Sequence, residues 1–279
     1  MHPPFDWTWH PHPEAWAIAG TILAWYFWML RRRRAENPMS EPATKRQRKL
    51  FVAGTLVLLV AGEWPIHDLA EGYLYSVHMV QHMLFTLLAA PLLLAGTPAW
   101  LVRRLLPGPL LRLARFAARP LVALAVANGV LVLTHWPALV NASIGNELLH
   151  FGLHVLVLLS AFVMWMPVVS PLLEIPILSK PAQCGYLFLQ SLVPTVPASF
   201  LTFGDAPLYR AYEAFPHPFG VTTLSDQRMA GLIMKIVGGA ILWALISVIW
   251  FSWMSLEDRE GIDAFAHAAT DRDLDRVEI

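Results

Sequence analysis

Seven apolar runs of membrane-spanning length divide this chain and restrict it to folds that a bilayer tolerates. A helix needs about 20 residues to cross the hydrocarbon, where backbone polar groups must be satisfied within the segment, so these runs read as helices. They fall at about 14–30, 50–66, 73–95, 120–138, 147–168, 183–203 and 228–253. Glu63 and Pro65 interrupt the second, Asn128 sits within the fourth, and Pro194 and Pro197 are expected to bend the sixth. With 56% hydrophobic and only 14% charged residues, the composition is that of an integral membrane protein. The expected fold is all-α: a seven-transmembrane-helix bundle over residues 1–253, followed by a charged tail over 254–279 with no fold of its own.

Lys and Arg set the expected orientation. Eight lie in the loop after the first run, five after the third, one after the fifth and three in the tail, seventeen of the twenty in all. By the positive-inside rule the N-terminus is outside and the C-terminus cytoplasmic. The first twenty residues carry no basic segment and no small-residue cleavage site, so the first run reads as a retained span. Lys235 lies about two turns into the seventh run, where an ammonium needs a carboxylate or a route to the interface.

On that topology ten of the eleven histidines fall in the outer half, and only His267 lies in the tail. Two pairs open helices with the same spacing: His78 and His82 in the third run, His150 and His154 in the fifth. Residues four apart stack on one helical face, so each pair aims two imidazoles at one point, and two such helices can make a four-nitrogen site. A single intramembrane His more often hydrogen-bonds a carbonyl or water than binds a metal, either pair alone is equally consistent with both roles, and it is the repetition that favours a site. His67 and His135 lie near the same face as second candidates. Asp226 and Met229 open the seventh run, Asp226 reading either as an N-cap or as a group that completes or gates the site. His2, His10 and His12 lie in the outer N-terminal segment and His217 in the last outer loop. That loop is long, aromatic and proline-rich, and reads either as a lid or as interfacial anchoring.

Imidazole suits copper, zinc, iron and nickel, whereas thioethers select Cu(I). Met79 and Met83 flank the first pair, four residues apart, and Cys184 is the only cysteine, which leaves no disulfide or CxxC motif. His with Met and without Cys fits copper, as Cu(I) or Cu(II), better than zinc or an iron–sulfur cluster. Bis-His haem is the less favoured rival, since stacked haems need ligands near opposite faces and here each pair lies one turn apart near one face. No Walker loop, dinucleotide fingerprint, GxSxG or HExxH motif is present, so no enzymatic activity is expected. The basic loops are explained by topology and anionic lipid of the bilayer, so no nucleic-acid partner is expected.

The HMVQH block at 78–82 with Pro91 and Gly96-Thr97-Pro98, then Thr134-His135-Trp136-Pro137, Glu147 with His150 and His154, and Ser225-Asp226-Gln227 with Ala230 to Met234 resemble the caa3-type cytochrome c oxidase assembly factor family over most of the chain, from about Trp25 to Trp253. Lys235 stands where the family pattern has an aromatic or apolar residue. The resemblance implies a multi-pass protein of the bacterial inner membrane that helps mature a haem–copper oxidase by handling copper on the periplasmic side. It also implies oxidase subunits or a periplasmic copper chaperone as partners. A copper transporter, a membrane haem protein and a metal-free assembly scaffold stay open as alternatives, as does a homo-oligomer.

Overall fold

The computed structural model describes residues 7–39, 41–216 and 218–275, with side chains described except at Pro218 and over 258–275. Met1, His2 and His217 lie outside the described residues, as does the side chain of His267. Among the described residues the secondary structure is helical, with no strand.

Helix α1 spans Pro13–Glu36, and α2 spans Lys45–Ala61 behind a capping box made by Thr44 and Gln47. A bend of 47° leads from α2 into the short α3, Ile66–Gly72. Helix α4 runs Tyr75–Gly96, followed by α5 (Ala99–Leu105), α6 (Pro109–Ala117), α7 (Pro120–Thr134), α8 (Pro137–Ile144), α9 (Glu147–Trp165) and α10 (Lys180–Phe203). Helix α11 begins as Thr223–Leu232, passes through a π-helical turn at Ile233–Val237 and continues as Gly238–Asp275. Proline at the first or second position opens α6, α7, α8 and α10, where its missing N–H has no helical partner to lose.

Four helices, α4, α9, α10 and α11, are long and apolar enough to cross a membrane, and up to six spans result if the bent pairs α2–α3 and α6–α7 each count as one. Large apolar side chains such as Leu121, Leu148, Phe200 and Phe251 stand exposed around the bundle, as lipid-facing surfaces require. The fourth apolar run ends as helix at Thr134, and His135 and Trp136 make a corner before Pro137 opens α8. The segment beyond Trp253 is also helical, through Asp275, where its charged composition suggested no fold.

Helix α2 crosses α4 closely at two glycines: a Cβ on Gly54 would lie 2.8 Å from Leu93 Cγ, and one on Gly96 2.7 Å from Phe51 Cα. Helix α9 packs against both α4 and α7, and α10 against α11. The third and fifth apolar runs, which carry the histidine pairs, are therefore neighbours. At one end of the bundle the basic loops meet. Arg103 donates to both Glu174 oxygens at 2.7 and 3.0 Å, and the Trp100 indole N–H donates to Pro42 O at 2.7 Å. The histidine pairs lie toward the other end.

Candidate metal centre

Helix α4 starts at Tyr75 with no side-chain cap of its own, and the missing acceptor comes from 150 residues away. The Asp226 carboxylate accepts from Tyr75 N at 2.6 Å, Ser76 N at 3.2 Å and the Ser76 hydroxyl. An anion at this position satisfies orphan N–H groups and complements the helix dipole. His78 is thereby held in the first turn of α4.

The two histidine pairs converge. Ring centroids are 4.4 Å apart within each pair, and across the helices His78 lies 5.3 Å from His150 and 5.2 Å from His154, with His82 5.1 Å from His154. Glu71, on α3, completes the group. Its Oε2 is 2.9 Å from His150 Nε2, and its Oε1 is 3.6 Å from His78 Nδ1. One ligand atom from each of Glu71, His78, His150 and His154 lies within 4.8 Å of all the others. His78 Nδ1, His82 Nε2 and His154 Nε2 are buried and have no hydrogen-bond partner among the described residues. Each such group costs on the order of 1–3 kcal/mol unless something pairs with it, and a cation held by imidazole nitrogens would do so.

A family model for the cytochrome c oxidase caa3 assembly factors matches residues 24–255. The chain belongs to that family. No curated protein and no solved structure matches it.

In this assembly factor the loop before α11 covers the histidine cluster. Tyr209 and Tyr212 are buried, their rings 4.7 and 5.3 Å from that of Tyr75, and Tyr209 OH donates to His135 O at 2.9 Å. Ala211 N, in the turn Arg210–Ala214, donates to Asn141 Oδ1 at 3.0 Å. The loop is therefore anchored on α8 and on the corner at His135.

The remaining candidates separate into three places. His135 and Met79 sit beside His82: His135 Nε2 is 3.4 Å from Met79 Sδ, and the His82 and His135 rings are 6.3 Å apart. Met83 is buried one turn farther along α4. His67 instead packs against His12, ring centroids 4.5 Å apart, and forms a second cluster with His12 and Glu14. There His12 Nδ1 is 3.0 Å from Glu14 and Nε2 2.5 Å from Asp68, while His10 Nδ1 is 3.2 Å from Asp68. Burial opposes charge on His12, but the hydrogen bonds to Asp68 and Glu14 outweigh it and raise its pKa above 6.5.

Two expectations for α11 are corrected. Asp226 is neither the cap of its own helix, which is Thr222, nor a free ligand, because the start of α4 uses its oxygens. Met229 is 51% exposed and lies away from the cluster. The buried face of α11 runs through Asp226, Ala230 and Met234 at i, i+4 and i+8, so Met234 is the thioether that enters the bundle. Lys235, next in sequence, is exposed on the outside of the bundle and does not face the histidines. Sequence reasoning missed Glu71. Its signal was a carboxylate seven residues before His78 at the edge of an apolar run, close to two helical turns away.

Proposed function

We propose that this assembly factor carries copper for cytochrome c oxidase at a site made by Glu71, His78, His150 and His154, with His82 alongside. The observation that carries this reading is the convergence of three imidazoles and one carboxylate, with buried ring nitrogens left unpaired. Imidazole and carboxylate suit several first-row metals, and membership of an oxidase assembly family favours copper as the cargo. The protein acts as a carrier rather than an enzyme, and its partners are oxidase subunits or a copper chaperone.

The reading includes seven spans, α1, α2, α4, α7, α9, α10 and α11, with α6 in the basic loop before α7. Helix α1 has 24 residues, long enough to cross, and its Trp16, Trp25, Tyr26 and Trp28 account for its lower hydropathy. With the basic loops cytoplasmic, the histidine cluster faces the periplasm of a bacterial inner membrane. A haem is disfavoured because rings 4.4–5.3 Å apart leave no slot for a porphyrin. A transporter is disfavoured because Trp165, donating to Thr86 O at 2.7 Å, and Leu187 plug the bundle toward its basic end.

The test is metal content and an absorption spectrum of the detergent-purified protein after copper loading, beside the triple variant His78→Ala, His150→Ala, His154→Ala. At least one equivalent of copper on the wild type that the variant loses, no Soret band, and failure of the variant to support oxidase maturation are expected. A Soret band, or no copper retained by the wild type, would overturn the reading.

A further inference from the structure

A chamber of about 120 Å³ lies beyond His82, toward the basic end of the bundle, between α4, α7, α9, α10 and α11. Met79, Met83, Met164 and Met234 line it, from three different helices. It shares Met79, His82 and Thr134 with the small cavity of the histidine cluster, so the two spaces are separated only by those side chains.

The geometry at the shared wall is chemically specific. His135 Nδ1 is 2.7 Å from Leu131 O, an atom that can only accept, so Nδ1 carries hydrogen. In the neutral ring Nε2 then presents a lone pair, and it faces the Met79 sulfur at 3.4 Å. Two acceptors facing each other with no hydrogen between them gain nothing from the contact and have given up hydration. A soft cation between them reverses that sign. A backbone carbonyl fixing one ring nitrogen so that the other points at a metal is the usual way an imidazole ligand is oriented. The unpartnered His82 Nε2 lies at the same wall, and the buried Met83 thioether lines the chamber one turn farther along α4. Methionine is often a core filler, which accounts for Met164 as packing, but packing does not account for the facing acceptors.

We propose that Met79 and His135, with His82 and Met83, form a second metal site selective for Cu(I) on the chamber side of the cluster. The proposal rests on the reading that the protein carries copper. Thioethers supply the selectivity, since they favour Cu(I) over the divalent ions that the Glu71 cluster would also accept. His82 stands between the two sites, so a Cu(I) ion can exchange one set of ligands for the other with no change of oxidation state.

The experiment is Cu(I) loading of the full-length protein under reducing conditions, with copper counted and its ligands read by X-ray absorption. The wild type should hold about two Cu(I), with sulfur among the scatterers. Met79→Leu with Met83→Leu, which conserves volume, should lose about one equivalent and the sulfur signal, and His135→Gln should lose the same equivalent. Glu71→Gln with His150→Ala should lose the other equivalent and keep the sulfur. A wild-type spectrum without sulfur, or a Met variant that keeps the full complement, would overturn the second site while leaving the first intact. No copper in any of the proteins would overturn both.

Discussion

Two clusters of histidine and carboxylate lie near the same end of this bundle, and they differ in what is left over. In the outer one both ring nitrogens of His12 face carboxylates, those of Glu14 and Asp68, and His10 shares Asp68. Trp9 and His12 N also donate to Glu63, at 3.1 and 3.4 Å. Those groups are spent on one another, and their effect is to tie the N-terminal segment to α3 and the turn before it. In the inner cluster one carboxylate serves two imidazoles, reaching His78 Nδ1 only at 3.6 Å, and three buried nitrogens have no hydrogen bond among the described residues. Folding does not ordinarily leave that cost uncompensated, and the proposed metal site rests on those nitrogens. Ligand-capable residues within reach of one another are thus not sufficient; the unsatisfied ones distinguish a site from a tether.

The sharpest way to break the comparison is His78→Ala with His154→Ala. Copper affinity, measured by competition with a chelator, should fall by more than about 100-fold, since two ligands are lost. The metal-free protein should shift in stability by less than about 1 kcal/mol, because lost packing is offset by removal of two unsatisfied groups. A large loss of metal-free stability would mean that these imidazoles are ordinary core residues.

Glu71→Gln keeps the shape and removes the charge that faces His78 and His150, and should weaken copper binding by about 10- to 100-fold in the same assay. An unchanged affinity would return Glu71 to the class of the outer carboxylates. Asp226→Ala removes three hydrogen bonds from the start of α4 and should lower stability by about 1–2 kcal/mol, read by thermal unfolding in detergent, and should loosen hydrogen exchange over residues 75–79. Asp226→Asn should recover part of that loss, since its amide oxygen still accepts.

The smallest effect belongs to the outer cluster. Asp68→Asn should leave copper stoichiometry unchanged and release only the N-terminal segment, at a cost below about 1 kcal/mol. Because the His12 pKa is raised in the fold, its contribution is complete below 6.5 and is lost as pH climbs through the raised value. Protection of residues 7–12 in hydrogen exchange should therefore fall from pH 6 toward pH 8 in the wild type and be low throughout in Asp68→Asn.

Much of this was legible in the sequence. The apolar runs recur as helices, with α4 at Tyr75–Gly96 matching the run at 73–95 and α10 at Lys180–Phe203 the run at 183–203. The i, i+4 spacing of both histidine pairs predicted two faces able to meet, and they do. The errors came where a helix chooses its inward face. On α11 the pattern offers Met229 and Met234 as alternative thioethers, and only packing at Ala230 selects the second. The tail shows a different limit: charge argues against a packed core, but it does not stop a helix already in progress from continuing to Asp275.

By itself the sequence determined the helical membrane architecture, the family, the end of the bundle at which the histidines gather and the separation of that end from the basic loops. Those properties follow from local periodicity and from the cost of moving charge and backbone into hydrocarbon, which every residue reports independently. Tertiary structure alone decided that α9 lies beside α4, that Glu71 meets His150 across 79 residues, that Asp226 serves the helix of His78 rather than its own, and that three ring nitrogens are left without a hydrogen bond among the described residues. Each of these depends on which helices are neighbours and which face each one turns inward, and that choice is made by close packing summed over the whole bundle rather than by any one segment.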